Sequence, residues 1–160
     1  MNQQEILKIL QQNFPKSIVE MEEMPNDHIP IVSSGWLEVA TFLYEEPELK
    51  FDSMQCITGN DLEENMLEVR YNLHSMVHLH KVEIRINVQK DNPKIPSIEK
   101  IWRVGDWFER ETYDMYGIIF EGHRDHRRIL LPDDWEGWPL RKDYETQETY
   151  HGIVVPKVKE

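Results

Sequence analysis

The chain has a single cysteine, no long apolar run and little positive charge against its acids. Each shortage closes off a class of function. Cys56 alone cannot make an internal disulfide, so nothing points to an oxidising compartment. Nor can it supply the about four thiolates that hold an iron–sulfur cluster; it reads as a small apolar residue in a strand. No stretch approaches the ~20 apolar residues that cross a bilayer, and residues 1–20 lack both the basic start and the apolar core of a secretory leader. Any work at a membrane is therefore expected to go through partners. Lys and Arg number 18 against 30 Asp and Glu, a net charge of −12. That balance argues against a nucleic-acid or anionic-lipid surface, because both are met by positive charge. The nucleotide loops G-x-G-x-x-G and G-x-x-x-x-G-K-[ST] are missing, as is the G-x-S-x-G nucleophile turn. Ser17, Ser33, Ser34, Ser53, Ser75 and Ser97 sit where caps, strand faces and turns are expected.

What is present fits one domain of 160 residues, with 39% hydrophobic and 30% charged side chains. A chain of that size buries roughly 70% of its unfolded surface. Asn2, with Glu5 as capping-box partner, predicts a helix over 3–14 that buries Ile6, Leu7, Leu10 and Phe14 and ends at Pro15. Short strands are expected at 17–21 and 29–32, on either side of an acidic loop over 22–28. Ser34 predicts a second helix to Glu46 with Leu37, Ala40, Leu43 and Tyr44 inward. A strand follows over 51–57, then a turn at Thr58-Gly59-Asn60-Asp61. Leu67, Val69, Tyr71 and Leu73 alternate with polar residues, and so do Val82, Ile84, Ile86 and Val88. Period-two patterns of this kind belong to antiparallel strands with one dry and one wet face. Residues 91–96 read as a loop, and Ser97 as the cap of a short helix ending near Trp102. The fold class expected is α+β: a two-layer domain over 1–131, its mainly antiparallel sheet packed by helices. Residues 132–160 lack periodicity, yet carry Trp135, Trp138, Leu140 and Tyr144. They read as an extended C-terminal arm that packs on a partner, or else folds back on its own domain.

The organising stretch runs from Trp107 to Leu131. Asp106 is placed to cap a helix, with Glu109 three residues on and Gly117 as a left-handed stop; Gly122 marks a second turn. Trp107, Phe108, Met115 and Ile118 or Ile119 form an apolar stripe with Glu111 in its middle. A buried carboxylate costs several kcal/mol unless a cation meets it, and Arg124, Arg127 and Arg128 are the nearest candidates. Glu111→Gln is therefore expected to harm folding or assembly more than Glu109→Gln. Arg110, four residues from both Asp106 and Asp114, can bridge two acids. Glu109 and Glu111 point about 200° apart on a helix, so they cannot share a substrate. His78 and His80 fall on one side of a strand near His74, but without the Cys or Glu spacing of a zinc site. His123 and His126 are flanked by arginines that would repel a metal.

As a string, these residues resemble one family. Glu109-Arg110-Glu111, Tyr113-Asp114-Met115-Tyr116-Gly117-Ile118, Phe120-Glu121-Gly122-His123, Arg127-Arg128-Ile129-Leu130 and Gly137-Trp138-Pro139-Leu140-Arg141-Lys142-Asp143-Tyr144 resemble the C subunit of NADH–quinone oxidoreductase. This is the thirty-kilodalton subunit family of respiratory complex I. The match runs in order through roughly a quarter of the chain. It departs where the family often has Phe in place of Tyr144 and Pro in place of Glu145. The resemblance implies a non-redox core subunit of the peripheral arm of a proton-translocating complex, peripheral on the cytoplasmic face of a bacterial inner membrane. Flavin and iron–sulfur clusters would lie in partner subunits and no cofactor in this chain. The forty-nine-kilodalton-type quinone-site subunit and neighbouring cluster-binding subunits would be the partners. His123, Arg127, Arg128, Arg141, Lys142 and Asp143 match the motif and are expected to contact a neighbour or hold the arm. Glu109, Arg110, Glu111, Asp114 and Trp138 join them as interface or ion-pair residues. The alternatives are a subunit of a related quinone- or hydrogenase-type complex with another electron donor, and a free-standing acidic adaptor that binds some other protein.

Overall fold

The Asn2 side chain accepts the Glu5 N–H at 2.9 Å while the Glu5 carboxylate accepts the Asn2 N–H at 2.8 Å. This reciprocal cap opens helix α1 (Gln3–Asn13), which buries Ile6 and Leu10. The computed structural model describes residues 1–21, 23–62 and 64–155; Glu22, in the expected acidic loop, and residues 156–160 of the arm lie outside them. The two-residue strand β1 (Ile29–Pro30) comes next, and a 3-10 turn (Ser33–Gly35) leads into α2 (Trp36–Glu45). The helix buries Trp36, Val39, Ala40 and Leu43, while Leu37, expected inward, is 46% exposed. Starting the helix at Trp36 rather than at a Ser34 cap places the largest ring in the core and turns Leu37 out.

Strands β2 (Ser53–Asp61), β3 (Met66–His74) and β4 (Lys81–Gln89) follow. The sheet order is β1-β4-β3-β2, antiparallel except for the short β1–β4 pair. The period-two reading is seen directly in the register: Leu67 faces Val88, Val69 faces Ile86, Tyr71 faces Ile84 and Leu73 faces Val82. All eight are buried. The other face is wet and carries ion pairs, with Arg70 on Glu68 and Arg85 on Glu83, each at 2.6 Å. Trp36 lies against Tyr71 with ring centroids 4.6 Å apart, which sets α2 on the dry face.

Several expected boundaries shift. Thr58–Asp61 is strand, not turn; the chain reverses later, where Glu64 and Asn65 take positive φ. Gly59 is in the strand for clearance, since a Cβ there would sit 2.5 Å from the Tyr116 ring. Residues 17–21 form only a single bridge, Ile18 to Ile31, instead of a strand. Ser97 caps a turn, not a helix, with the Ile101 and Trp102 N–H groups both donating to the Ile98 carbonyl. The loop expected over 91–96 ends in strand β5 (Lys94–Pro96), which pairs in parallel with β6 (Ile119–Glu121). Between them runs α3 (Gly105–Tyr116), packed across β2. Among the described residues after Glu121, regular structure is confined to a small hairpin of β7 (Thr149–Tyr150) and β8 (Ile153–Val154).

Candidate functional site

The helix α3 starts at Gly105, where a Cβ would crowd Met54 and Ile98 at 3.0 and 3.1 Å. Val104 precedes it without a side-chain cap, so Asp106 does not cap the helix as expected. The buried positions are Gly105, Asp106, Glu109, Arg110, Thr112 and Asp114. Two stripes lie inward. Gly105, Glu109, Thr112 and Tyr116 meet the sheet side, and Asp106, Arg110 and Asp114 meet the segment 123–131. Glu111 is exposed and Trp107 is 62% exposed. The expected apolar stripe through Trp107 is thus the outer face, and the buried acid is Glu109, not Glu111. A helix laid tightly on a strand through small residues is turned by contact distance, which overrides the hydrophobic pattern.

Glu109 is fully buried. It accepts the Ser97 hydroxyl at 2.6 Å and the Ile98 N–H at 2.8 Å. Burial pushes its pKa up to about 7 against the pull of these two donors, and the charges of Glu99 and Asp106 add to the rise. His123 Nε2 lies 3.8 Å away. Its Nδ1 accepts the Asp125 N–H at 3.0 Å, which leaves the proton on Nε2, facing the Asp106 carbonyl at 3.2 Å. Asp106 is hydrogen-bonded to Arg124. Burial works to raise the Asp106 pKa, but Arg124, His123 and Arg110 together hold it below the ordinary value.

Arg110 bridges acids, as its spacing suggests, but a different pair: Asp106 at 3.9 Å and Asp125 at 3.5 Å. Asp114 belongs to Arg128, at 2.7 Å. Its other oxygen accepts the N–H groups of Ile129, Leu130 and Leu131 at 2.9, 2.6 and 3.0 Å. Burial again opposes ionisation, and Arg128 with these three amides outweighs it, so Asp114 titrates below the usual carboxylate range. Arg128 also donates to the Trp135 and Gly137 carbonyls. Neither Arg124, Arg127 nor Arg128 serves Glu111; Arg127 holds Asp125 at 3.0 Å.

The first part of the expected arm returns to this helix. Trp138 covers Gly117, whose φ of +73° lies in the left-handed region that favours glycine, and a Cβ there would meet the indole at 2.5 Å. The Arg128 and Arg141 guanidiniums stand 4.5 and 5.9 Å from the Trp138 ring. Arg141 Nε donates to the Tyr116 carbonyl at 2.6 Å. The Lys142 N–H donates to Asp61 at 2.7 Å, and Lys90 bridges Asp61 and Asp143 at 2.9 and 3.5 Å. Residues 138–143 are therefore a strap seated on their own domain.

Sequence reasoning does not mark Asp61, Glu99 or Ser97 as site residues. Asp61 has a legible signal: counted from Ile57, it falls on the dry face of its strand, where an acid demands partners. His78 and His80 engage the Pro47 and Leu49 carbonyls through Nε2 at 2.8 and 2.7 Å. Among the described residues no three His, Cys, Asp or Glu are grouped to hold a metal, and no helix is long and apolar enough to cross a membrane.

Residues 29–150 match the family described as "Respiratory-chain NADH dehydrogenase, 30 Kd subunit". The chain is 44% identical over 152 residues to the NADH-quinone oxidoreductase C subunit of Chloroherpeton thalassium, covering 93% of this chain and 63% of that protein. It is 49% identical over 123 residues to the Chlorobium phaeobacteroides protein of the same name, covering 76% of this chain and 74% of that one. The Roseiflexus castenholzii protein of that name is 37% identical over 141 residues, with 86% and 81% covered. The chain thus spans somewhat under two thirds of the Chloroherpeton protein's length. Two solved structures share the fold. A trypsin-resistant fragment of Nqo5 superposes with a TM-score of 0.61 at 21% identity, covering 75% of this chain and 98% of the fragment. A chain of the membrane-bound sulfane sulfur reductase, an archaeal respiratory membrane complex, superposes at 0.70 and 20%, covering 89% and 85%. The acids and arginines around α3 lie inside the matched residues, and the chain belongs to the family of the 30 Kd subunit of respiratory-chain NADH dehydrogenase, the C subunit of NADH-quinone oxidoreductase.

Proposed function

We propose that the chain is a core structural subunit of the peripheral arm of a proton-translocating NADH–quinone oxidoreductase, without a catalytic site of its own. The family match over residues 29–150 carries this reading. The geometry agrees with it: the motif's charges are largely spent on one another. Asp114 takes four donors, Asp106 takes Arg124, and Trp138 closes over Gly117. Such groups brace a shape and are not free to turn over a substrate. The brace seats residues 138–143, and Tyr144, Tyr150 and His151 close back on Trp135 and Asp134. The outer face of this folded-back arm is the surface that meets the forty-nine-kilodalton-type subunit lining the quinone site, next to cluster-binding subunits. Flavin and iron–sulfur centres sit in those partners, and the chain is held at the cytoplasmic face of the membrane through them.

The test is a pull-down of the tagged full chain from gently extracted host membranes. Recovery of quinone-site and cluster-bearing subunits, with NADH-to-quinone activity in the eluate, is the expected result. The same chain without residues 132–160 should lose the quinone-site subunit. A full chain that comes down alone would refute the subunit role and leave an acidic adaptor.

A further inference from the structure

The fully buried His123 side chain presents one N–H to two residues of α3. Its Nδ1 accepts the Asp125 N–H at 3.0 Å. Its Nε2 lies 3.2 Å from the Asp106 carbonyl, 3.5 Å from Asp106 Oδ1 and 3.8 Å from Glu109 Oε2. A single N–H donates well along only one of these directions. The two acids differ in what else they hold. Asp106 has Arg124 and, more distantly, Arg110. Glu109 pairs with no Lys or Arg among the described residues. From residues 97–99 it meets the Ser97 hydroxyl, the Ile98 N–H and the charge of Glu99, and from its own helix the charge of Asp106. From β3 it faces the Tyr71 hydroxyl, and from the turn after β6 it faces His123, with Asp125 and His126 behind that ring. The ionised form of Glu109 is therefore a buried charge without a counter-charge, and burial pushes its pKa up to about 7.

We propose that Glu109 and His123 form a proton-operated latch: on ionising, Glu109 draws the His123 N–H away from the Asp106 carbonyl, and the turn over residues 123–125 moves with the ring. It goes beyond the subunit reading and does not depend on it. A hydrogen bond to a charged acceptor is about twice as strong as one to a neutral carbonyl and closes to about 2.7–2.9 Å, which asks the ring to shift by about 1 Å. In the interior that attraction is little screened. Asp125 follows the ring because its N–H is held by the other nitrogen. Arg124 lies between them in the chain, and its side chain is 51% exposed, so the movement reaches the surface. When Glu109 is protonated, it draws the N–H no more than a neutral oxygen does, and the Asp106 carbonyl keeps the bond. The distances of 3.2 and 3.8 Å are those of this acid form. Ionisation of one buried side chain near neutral pH is thereby turned into a displacement of the Arg-bearing turn.

The experiment follows the nitrogen-15 and proton resonances of the full chain by NMR from about pH 5.5 to 8.5, a window centred on the Glu109 titration. The Asp125 amide and the His123 Nε2–H should move together with one midpoint near 7, the Nε2–H towards lower field as its bond shortens. Glu109→Gln keeps the shape of the acid form and cannot ionise, so the Asp125 amide should stay fixed across the range. Ser97→Ala removes a donor that favours the carboxylate, so the midpoint should rise by about one pH unit. This second variant leaves Glu109 in place and serves as the test if Glu109→Gln does not fold. An Asp125 amide that does not titrate, or a midpoint that Ser97→Ala leaves unmoved, overturns the latch. A titration that survives in Glu109→Gln belongs to a histidine and overturns it too.

Discussion

At the scale of single residues, the two glutamates on either side of Arg110 exchange the roles expected of them. Glu109 is buried with its pKa raised to about 7 from an ordinary 4.5. Between those values the folded chain holds a proton that the unfolded chain has lost. Stability therefore falls as pH rises through that window, by on the order of 3 kcal/mol in all. Thermal unfolding followed from pH 5 to 8 should show the decline, and Glu109→Gln should flatten it. Glu111→Gln, on the exposed face, should shift stability by less than about 0.5 kcal/mol at any pH. Asp114 works in the opposite sense. Its depressed pKa means that its contribution is present above 3.8 and is lost as pH falls through the lower folded value. Asp114→Asn leaves Arg128 buried without its counter-charge and should cost about 3–5 kcal/mol in chemical denaturation. The sequence points to a buried acid in this helix, because Glu111 falls in the middle of the apolar stripe and Asp106, Glu109 and Asp114 flank it. It does not show which, because the helix is rotated by the close fit of Gly105 and Gly59, and such a fit is a property of two surfaces.

At the scale of elements, α3 and the strap behave as one unit. Gly117→Ala adds a methyl group both at a positive φ and against the Trp138 indole. It should cost more than the about 1 kcal/mol of conformational strain alone, and should free Trp138, seen as a red shift of its fluorescence. Trp138→Ala should reproduce the looser strap with less loss of stability, since the backbone conformation is untouched. An equal effect of both would mean that the glycine serves only as a helix stop. The strap was half legible. Its aromatic and charged content announces a docked segment, but composition cannot say on what. Lys142 reaches Asp61 across more than eighty residues of chain, and no local pattern encodes that meeting.

At the scale of the whole molecule, the fold was the most readable part, because sheet faces are written in a period of two. Leu67 to Leu73 and Val82 to Val88 lie on the dry face as their alternation requires. What failed were signals with two meanings, such as glycine at 59, a turn residue by habit and a clearance residue in fact. The layout also predicts how the molecule responds to shortening. Removing residues 132–160 takes away the strap but none of the four-stranded sheet. The shortened chain should stay folded by circular dichroism, with its midpoint lowered by about 2–4 °C for each kcal/mol the strap contributes. Loss of cooperative unfolding instead would make the strap part of the core.

The Asp114 carboxylate gathers three successive backbone N–H groups from a segment with neither helix nor strand. Amide hydrogens in such a loop ordinarily exchange with solvent within seconds. Those of Ile129, Leu130 and Leu131 should instead exchange as slowly as a sheet interior, and all three should be released together when Asp114 is replaced or protonated. One side chain would then set the deuterium uptake of a whole loop, a signature that can be read in the assembled complex as well as in the isolated chain.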